Sequence, residues 1–157
     1  MVSHAKTIQL TAEGKAKLEE ERRTLRDVYL PDLETRIHDL SEFGDITDNG
    51  EFDDLKEEHV NTEARITELD YVLARAVVIE PEAADGVVRL GTRVTLRADD
   101  GEEDTWLLVS PEEADRARGS ISTDSPVGKA VLGCREGEAA TVTTPRGSIT
   151  YQVVSVA

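Results

Sequence analysis

The chain has 157 residues, room for one ordinary domain or two small ones, with 33 acidic against 18 basic side chains and a net charge of -15. That balance argues against direct binding to bare nucleic acid, where Lys and Arg must neutralise phosphates, and favours a basic partner surface or a bound cation. The single cysteine, Cys134, excludes an intramolecular disulfide and any structural zinc site needing two thiolates from this chain.

The N-terminal stretch MVSHAKTIQL has no signal-peptide apolar core. No segment approaches the roughly 20 apolar residues of a membrane span, so the expected location is the cytoplasm. The first half reads as an antiparallel helical hairpin over residues 1–80. Thr11 is a candidate N-cap for a helix starting at Ala12. Leu18, Leu25, Tyr29, Leu33, Ile37 and Leu40 then recur at spacings compatible with one helical face. Pro31 interrupts the run and predicts a kink. In the second helix Leu55, His59, Thr62, Ile66, Leu69, Leu73 and Ala76 alternate spacings of four and three, a heptad seam with its polar members nearest the hairpin's end. His59 reads there as a partly buried structural residue rather than a ligand.

Between the helices lies DLSEFGDITDNGEFDD, residues 39–54, with seven carboxylates and no Lys or Arg. Part of it has a structural explanation. Asp48 can cap the second helix with Glu51 three residues on, and Asp53 and Asp54 fall in a first turn where negative charge is favoured. Capping does not explain Asp39, Glu42 and Asp45, which crowd the C-terminal end of the first helix, where the dipole disfavours acids. Helices of about 25 to 30 residues would carry this cluster roughly 40 Å from the hairpin's base. Two such carboxylates hold Mg²⁺ weakly alone, but a partner supplying more ligands and a phosphate could complete a two-metal site for phosphodiester hydrolysis.

A short polar linker, residues 81–86, separates the hairpin from a second domain over residues 87–157. There the pattern turns to period two. Val87–Arg97, Thr105–Ser110, Ala139–Thr144 and Ser148–Val156 read as strands, with Pro145-Arg146-Gly147 as a turn. Ser125, Pro126 and Gly133 read as the cap, first residue and stop of one short helix. The fold class is α+β: a helical hairpin followed by a small, mainly antiparallel β domain.

These blocks together resemble the bacterial Gre family of transcript cleavage factors. The match runs nearly end to end. Its parts are Thr11-Ala12-Glu13-Gly14, Pro31, the tip Gly44-Asp45-Ile46-Thr47-Asp48-Asn49-Gly50-Glu51-Phe52, the strand Gly91–Leu96, Glu113-Ala114-Asp115, and Ser125-Pro126-Val127-Gly128-Lys129-Ala130. The tip motif and the Ser-Pro helix, at these separations, are specific as a pair.

The resemblance implies a coiled coil and an FKBP-like domain whose partner is RNA polymerase. The coiled coil enters the secondary channel while the globular domain docks at its rim through Asp124, Ser125 and Pro126. Asp45 and Asp48 share Mg²⁺ or Mn²⁺ with the polymerase centre, which then cuts backtracked RNA. Asn49, Glu51 and Glu42 organise the tip. The chain is then an accessory factor rather than an enzyme, with no tightly held ion of its own, no direct DNA contact, no membrane partner and a monomeric state.

The tip departs from the family pattern at three places. Asp48 stands where Glu is usual, Gly50 replaces a residue with a Cβ, and Phe52 replaces Tyr. The family also includes inhibitory Gre-factor-homologue paralogues with altered, very acidic tips. The surviving Gly-Asp and Asn-x-Glu elements favour cleavage; the shorter Asp48 and the extra acids favour inhibition or pausing. A purely structural coiled coil leaves the tip unexplained. A prolyl isomerase role is disfavoured by the scarcity of aromatics, Trp106 and Tyr151 only, in the second half.

Overall fold

The computed structural model describes residues 6–43, 50–80 and 85–157. It divides into two compact units, one built on Lys15–Ala76 and one on Thr7–Gly14 with Val77–Ala157.

In the first unit, helix α1 (Ala12–Thr24) runs through a π-helical turn (Leu25–Tyr29) into α2 (Leu30–Phe43), and α3 (Gly50–Arg75) packs against α2. The π-turn sits where a kink was expected. Pro31 has no N–H to donate, and its ring crowds the carbonyl four residues back. The chain widens just before it, with the Leu30 N–H bonding the Leu25 carbonyl five residues earlier. Leu18 and Leu33 are buried, whereas Tyr29, inside the π-turn, is swung outward and 37% exposed.

On α3 the buried residues are Leu55, Thr62, Leu69 and Val72. Thr62 satisfies its buried hydroxyl by donating to the Glu58 carbonyl at 2.7 Å. Leu33 and Leu69 are each 1% exposed, and burials of this kind contribute roughly 1.5–3 kcal/mol apiece. Ion pairs flank the seam. Arg65 makes a forked pair with Glu21 at 2.8 and 2.9 Å, and Arg22 reaches Asp70 at 3.1 Å. Both are partly exposed, so they set register more than they add stability.

The second unit holds a two-stranded sheet, β1 (Ile8–Leu10) with β2 (Ala76–Val78), and a five-stranded sheet. The latter comprises β3 (Arg93–Arg97), β4 (Glu103–Val109), β5 (Ser120–Ser122), β6 (Ala139–Thr144) and β7 (Gly147–Val156), in the order β5-β4-β3-β7-β6. All its pairings are antiparallel except β4 with β5. Period-two patterning sends Val94 and Leu96 of β3, Ala140 and Val142 of β6, and Val153 of β7 inward. Helix α4 (Pro126–Val131) adds Val131 to the core formed by Val88, Val94, Leu96, Leu108, Ile121 and Val153.

The α+β class and the division into helical hairpin and sheet domain are as expected. The units, however, divide the chain differently from the sequence boundaries. Residues 7–14, read as the start of the hairpin, pack with the sheet domain. Ile8 and Leu10 are buried there, and the Ile79 N–H bonds the Leu10 carbonyl at 2.9 Å. Strand pairing across some 70 residues leaves no local signature, and a three-residue strand is too short to show alternation. Among the described residues no helix is long and apolar enough to cross a membrane.

Candidate functional site

The acidic end of the hairpin is built by the last turn of α2 and the first turn of α3. Asp45, Asp48 and Asn49 lie outside the described residues. Glu42 and Glu51, expected to organise the tip, flank that segment and are both exposed, as are Asp39, Asp53 and Asp54. The last turn of α2 carries no Lys or Arg against its acids, so the dipole penalty there is real. His38 lies beside these acids, its Nε2 2.9 Å from Glu42 Oε2, one turn away. Glu51 and Asp53 occupy the favourable N-terminal turn of α3. Leu55 is buried just beyond them, and Lys56 Nζ lies over the Phe52 ring at 5.3 Å. An apolar layer thus ends immediately before a rim of exposed carboxylates.

The second candidate region is the approach to α4. Ser125 caps the helix with its Oγ accepting from the Gly128 N–H at 3.0 Å and donating to the Ser122 carbonyl at 2.7 Å. The Ser125 N–H also donates to that carbonyl, at 3.1 Å, and the Asp124 N–H donates to Ser122 Oγ at 2.9 Å. The one proton of the Ser125 hydroxyl is therefore already committed. Ser125 shapes the turn, while Asp124 and Pro126 are exposed and available to a partner. Gly128 makes the geometry possible, since a Cβ there would lie 2.0 Å from the Ser122 carbonyl oxygen.

The structure also joins two sequence blocks that lie far apart in the chain. The Glu113 carboxylate sits over the start of α1. Its Oε2 accepts from the Thr11 N–H at 2.9 Å, and its Oε1 bonds the Thr11 hydroxyl. Thr11 Oγ1 in turn accepts from the Gly14 N–H at 2.9 Å. This is a capping box whose acid comes from 102 residues away. The signal was present in the sequence: the third helical residue, where a local box carries Glu or Gln, is Gly14. A Cβ at Gly14 would lie 2.0 Å from Glu113 Cδ, so the glycine makes room for the distant carboxylate. Asp115 has a local role, capping the short 3₁₀ turn at Arg116–Arg118 by accepting from the Ala117 N–H at 3.1 Å.

Cys134 offers no competing chemistry. Its thiol donates to the Ala130 carbonyl at 3.4 Å, and burial, with a smaller contribution from the Glu138 charge, pushes its pKa up.

Residues 8–78 match the family described as "Transcription elongation factor, N-terminal", and residues 83–157 match "Transcription elongation factor, GreA/GreB, C-term". The chain is 40% identical over 153 residues to transcription elongation factor GreA of Listeria welshimeri, covering 96% of each chain. It is 42% identical over 153 residues to the GreA of Chloroflexus aurantiacus, covering 96% of this chain and 98% of that one. Among solved structures, Gfh1 of Thermus aquaticus is 34% identical with a TM-score of 0.47, covering 97% of this chain and 99% of that one. With its helical hairpin, its sheet domain and both halves matched, the chain belongs to the GreA/GreB family of transcription elongation factors.

Proposed function

We propose that this chain binds RNA polymerase as a monomeric cytoplasmic accessory factor. It inserts its helical hairpin through the secondary channel and stimulates cleavage of backtracked RNA. The observation that carries this reading is the rim of exposed carboxylates, from Asp39 and Glu42 on α2 to Glu51, Asp53 and Asp54 on α3, which brackets Asp45 and Asp48. Exposed acids cost little stability in solvent but would gain a large favourable term beside a divalent cation.

In this reading Asp45 and Asp48 hold one side of a Mg²⁺ or Mn²⁺ ion whose other ligands belong to the polymerase. Such an ion would activate the attacking water or stabilise the leaving oxygen. Glu42, Asn49 and Glu51 organise the tip. Asp124 and Pro126, presented by the satisfied turn at Ser125, contact the channel rim. The Gly44-Asp45 and Asn49-Gly50-Glu51 elements of the tip, together with 39–42% identity to proteins named GreA, support the cleavage reading.

The test is a stalled, backtracked elongation complex with labelled RNA. Release of short 3′ fragments on adding the protein, lost in Asp45→Ala, is the expected result. Asp48, shorter by about one C–C bond than the usual Glu, favours a second reading, in which the factor occupies the channel and prolongs pauses. Slower nucleotide addition without fragment release would select that reading. Absence of both effects, together with no binding to polymerase, refutes the two readings together.

A further inference from the structure

Within the hairpin, away from its acidic end, three side chains converge that the proposed function does not use. His59 projects from α3, Glu63 follows one turn later on the same helix, and Glu34 faces them from α2. His59 Nε2 is 3.2 Å from Glu34 Oε1 and 3.6 Å from Glu63 Oε1. The three ligand atoms all lie within 4.8 Å of one another. Around a tetrahedral ion with bonds of about 2.0–2.2 Å, ligand atoms stand roughly 3.3–3.6 Å apart. The 3.6 Å separation matches a coordination sphere and the 3.2 Å one falls just short of it; rotation of the exposed glutamate side chains can adjust that one and close the third.

The site is partly preorganised. The His59 side chain is 23% exposed and sits on the seam between the buried residues Leu55 and Thr62. Glu34 and Glu63 are each 57% exposed, which leaves an open side for water as a fourth ligand. The cations Arg36 and Lys56 on these helices are engaged elsewhere: Arg36 pairs with Asp32 at 3.2 Å, and Lys56 lies over Phe52. One imidazole and two carboxylates suit a borderline divalent cation. Ca²⁺ takes six to eight oxygens and Mg²⁺ prefers oxygen ligands in an octahedron, so this donor set discriminates against both. Two carboxylates with a neutral imidazole also balance the ion's charge.

We propose that Glu34, His59 and Glu63 form a Zn²⁺ site that ties α2 to α3. This departs from the expectation that the free protein holds no ion of its own, and it gives His59 a ligand role in place of a purely structural one. Because the ligands come from both arms, bound Zn²⁺ cross-links the hairpin at a stretch where the seam is polar.

The test uses the full chain, freed of metal with a chelator and titrated with ZnCl₂ at neutral pH by calorimetry. The ligand-field spectrum of added Co²⁺ reports the coordination geometry. One equivalent is expected to bind with a tetrahedral Co²⁺ spectrum, and the melting temperature of the helical signal should rise with added Zn²⁺. His59→Gln and Glu34→Gln should each weaken binding by about tenfold or more and abolish the thermal shift. Far-UV circular dichroism without metal checks that both variants remain helical; Glu34 is exposed enough to be replaced without disturbing the seam. His38→Gln and the Asp45→Asn/Asp48→Asn pair should bind as the parent does. Undetectable binding at millimolar Zn²⁺ overturns the proposal and leaves His59 as an ion-pair partner. So does binding that survives both His59→Gln and Glu34→Gln, or that is lost in His38→Gln.

Discussion

Replacing Gly128 by alanine would place a carbon 2.0 Å from the Ser122 carbonyl oxygen and 3.0 Å from Ser125 Oγ. On helix propensity alone, alanine should stabilise α4 by about 0.8–1 kcal/mol. The packing opposes it. The Ser122 carbonyl belongs to the end of β5 and accepts two hydrogen bonds, from the Ser125 N–H at 3.1 Å and the Ser125 hydroxyl at 2.7 Å. Ordinary contact with the new carbon needs more than about 1 Å of opening, which stretches or breaks both bonds at roughly 0.5–1.5 kcal/mol each. Overpacking adds about 1–3 kcal/mol as α4 lifts Val131 from the core. The net expectation is destabilisation by about 2–4 kcal/mol, and a fall in the unit's melting temperature of about 8 °C or more. Trp106, the only tryptophan, lies on β4 against this core, so its fluorescence during urea unfolding reports the second unit selectively. A lower midpoint at unchanged slope is the expected result. A midpoint equal to or above the parent's would mean that helix propensity wins and the close approach is not rigid. Under the docking proposed for Asp124 and Pro126, polymerase affinity should fall in the same variant, because the turn that carries them moves although neither side chain is changed.

Removing the distant cap by Glu113→Ala should cost about 0.5–2 kcal/mol in the same urea assay, and an unchanged midpoint would show that water replaces the carboxylate at Thr11. Asp48→Glu restores the longer side chain usual in the family; fragment release should rise, by up to about 100-fold if reach is what limits the parent, and an unchanged rate would exclude side-chain length as the limit. Because burial raises the Cys134 pKa, less thiolate is present at any given pH than in the unfolded chain. Its alkylation midpoint should therefore lie at higher pH in the folded protein than in urea, and a lower folded midpoint would refute that reading.

What was legible in the sequence was local or periodic. The Ser125-Pro126 helix start shows in three residues, and the α3 seam shows because Leu55, Thr62 and Leu69 repeat every seven. The strands β3, β6 and β7 show through alternation of small apolar residues. What escaped was pairing at a distance. Residues 8–10 gain a partner strand only after the hairpin returns, and Glu113 reaches Thr11 across more than a hundred residues. Strand β5 is three residues long and parallel to β4, so neither alternation nor a hairpin turn announces it. At the candidate site, composition marked the acidic end plainly, whereas the His38 pairing with Glu42 and the convergence of Glu34 on His59 depend on side-chain directions that spacing alone does not supply.

The π-turn before Pro31 acts as a clocking device. Seven residues separate the buried Leu18 from the half-buried Leu25, but eight separate Leu25 from the buried Leu33. In an unbroken α-helix each additional residue advances the azimuth by about 100°. The wide turn absorbs that residue, so Leu33 still faces α3. Deleting one residue from Leu25–Tyr29 together with Pro31→Ala would leave a straight helix with the same inward face. Deleting the residue while the wide turn persists would rotate everything beyond it, the carboxylates of the last turn included, by roughly a quarter of a revolution. The direction in which α2 aims its acids is thus set three turns upstream, by residues that touch none of them.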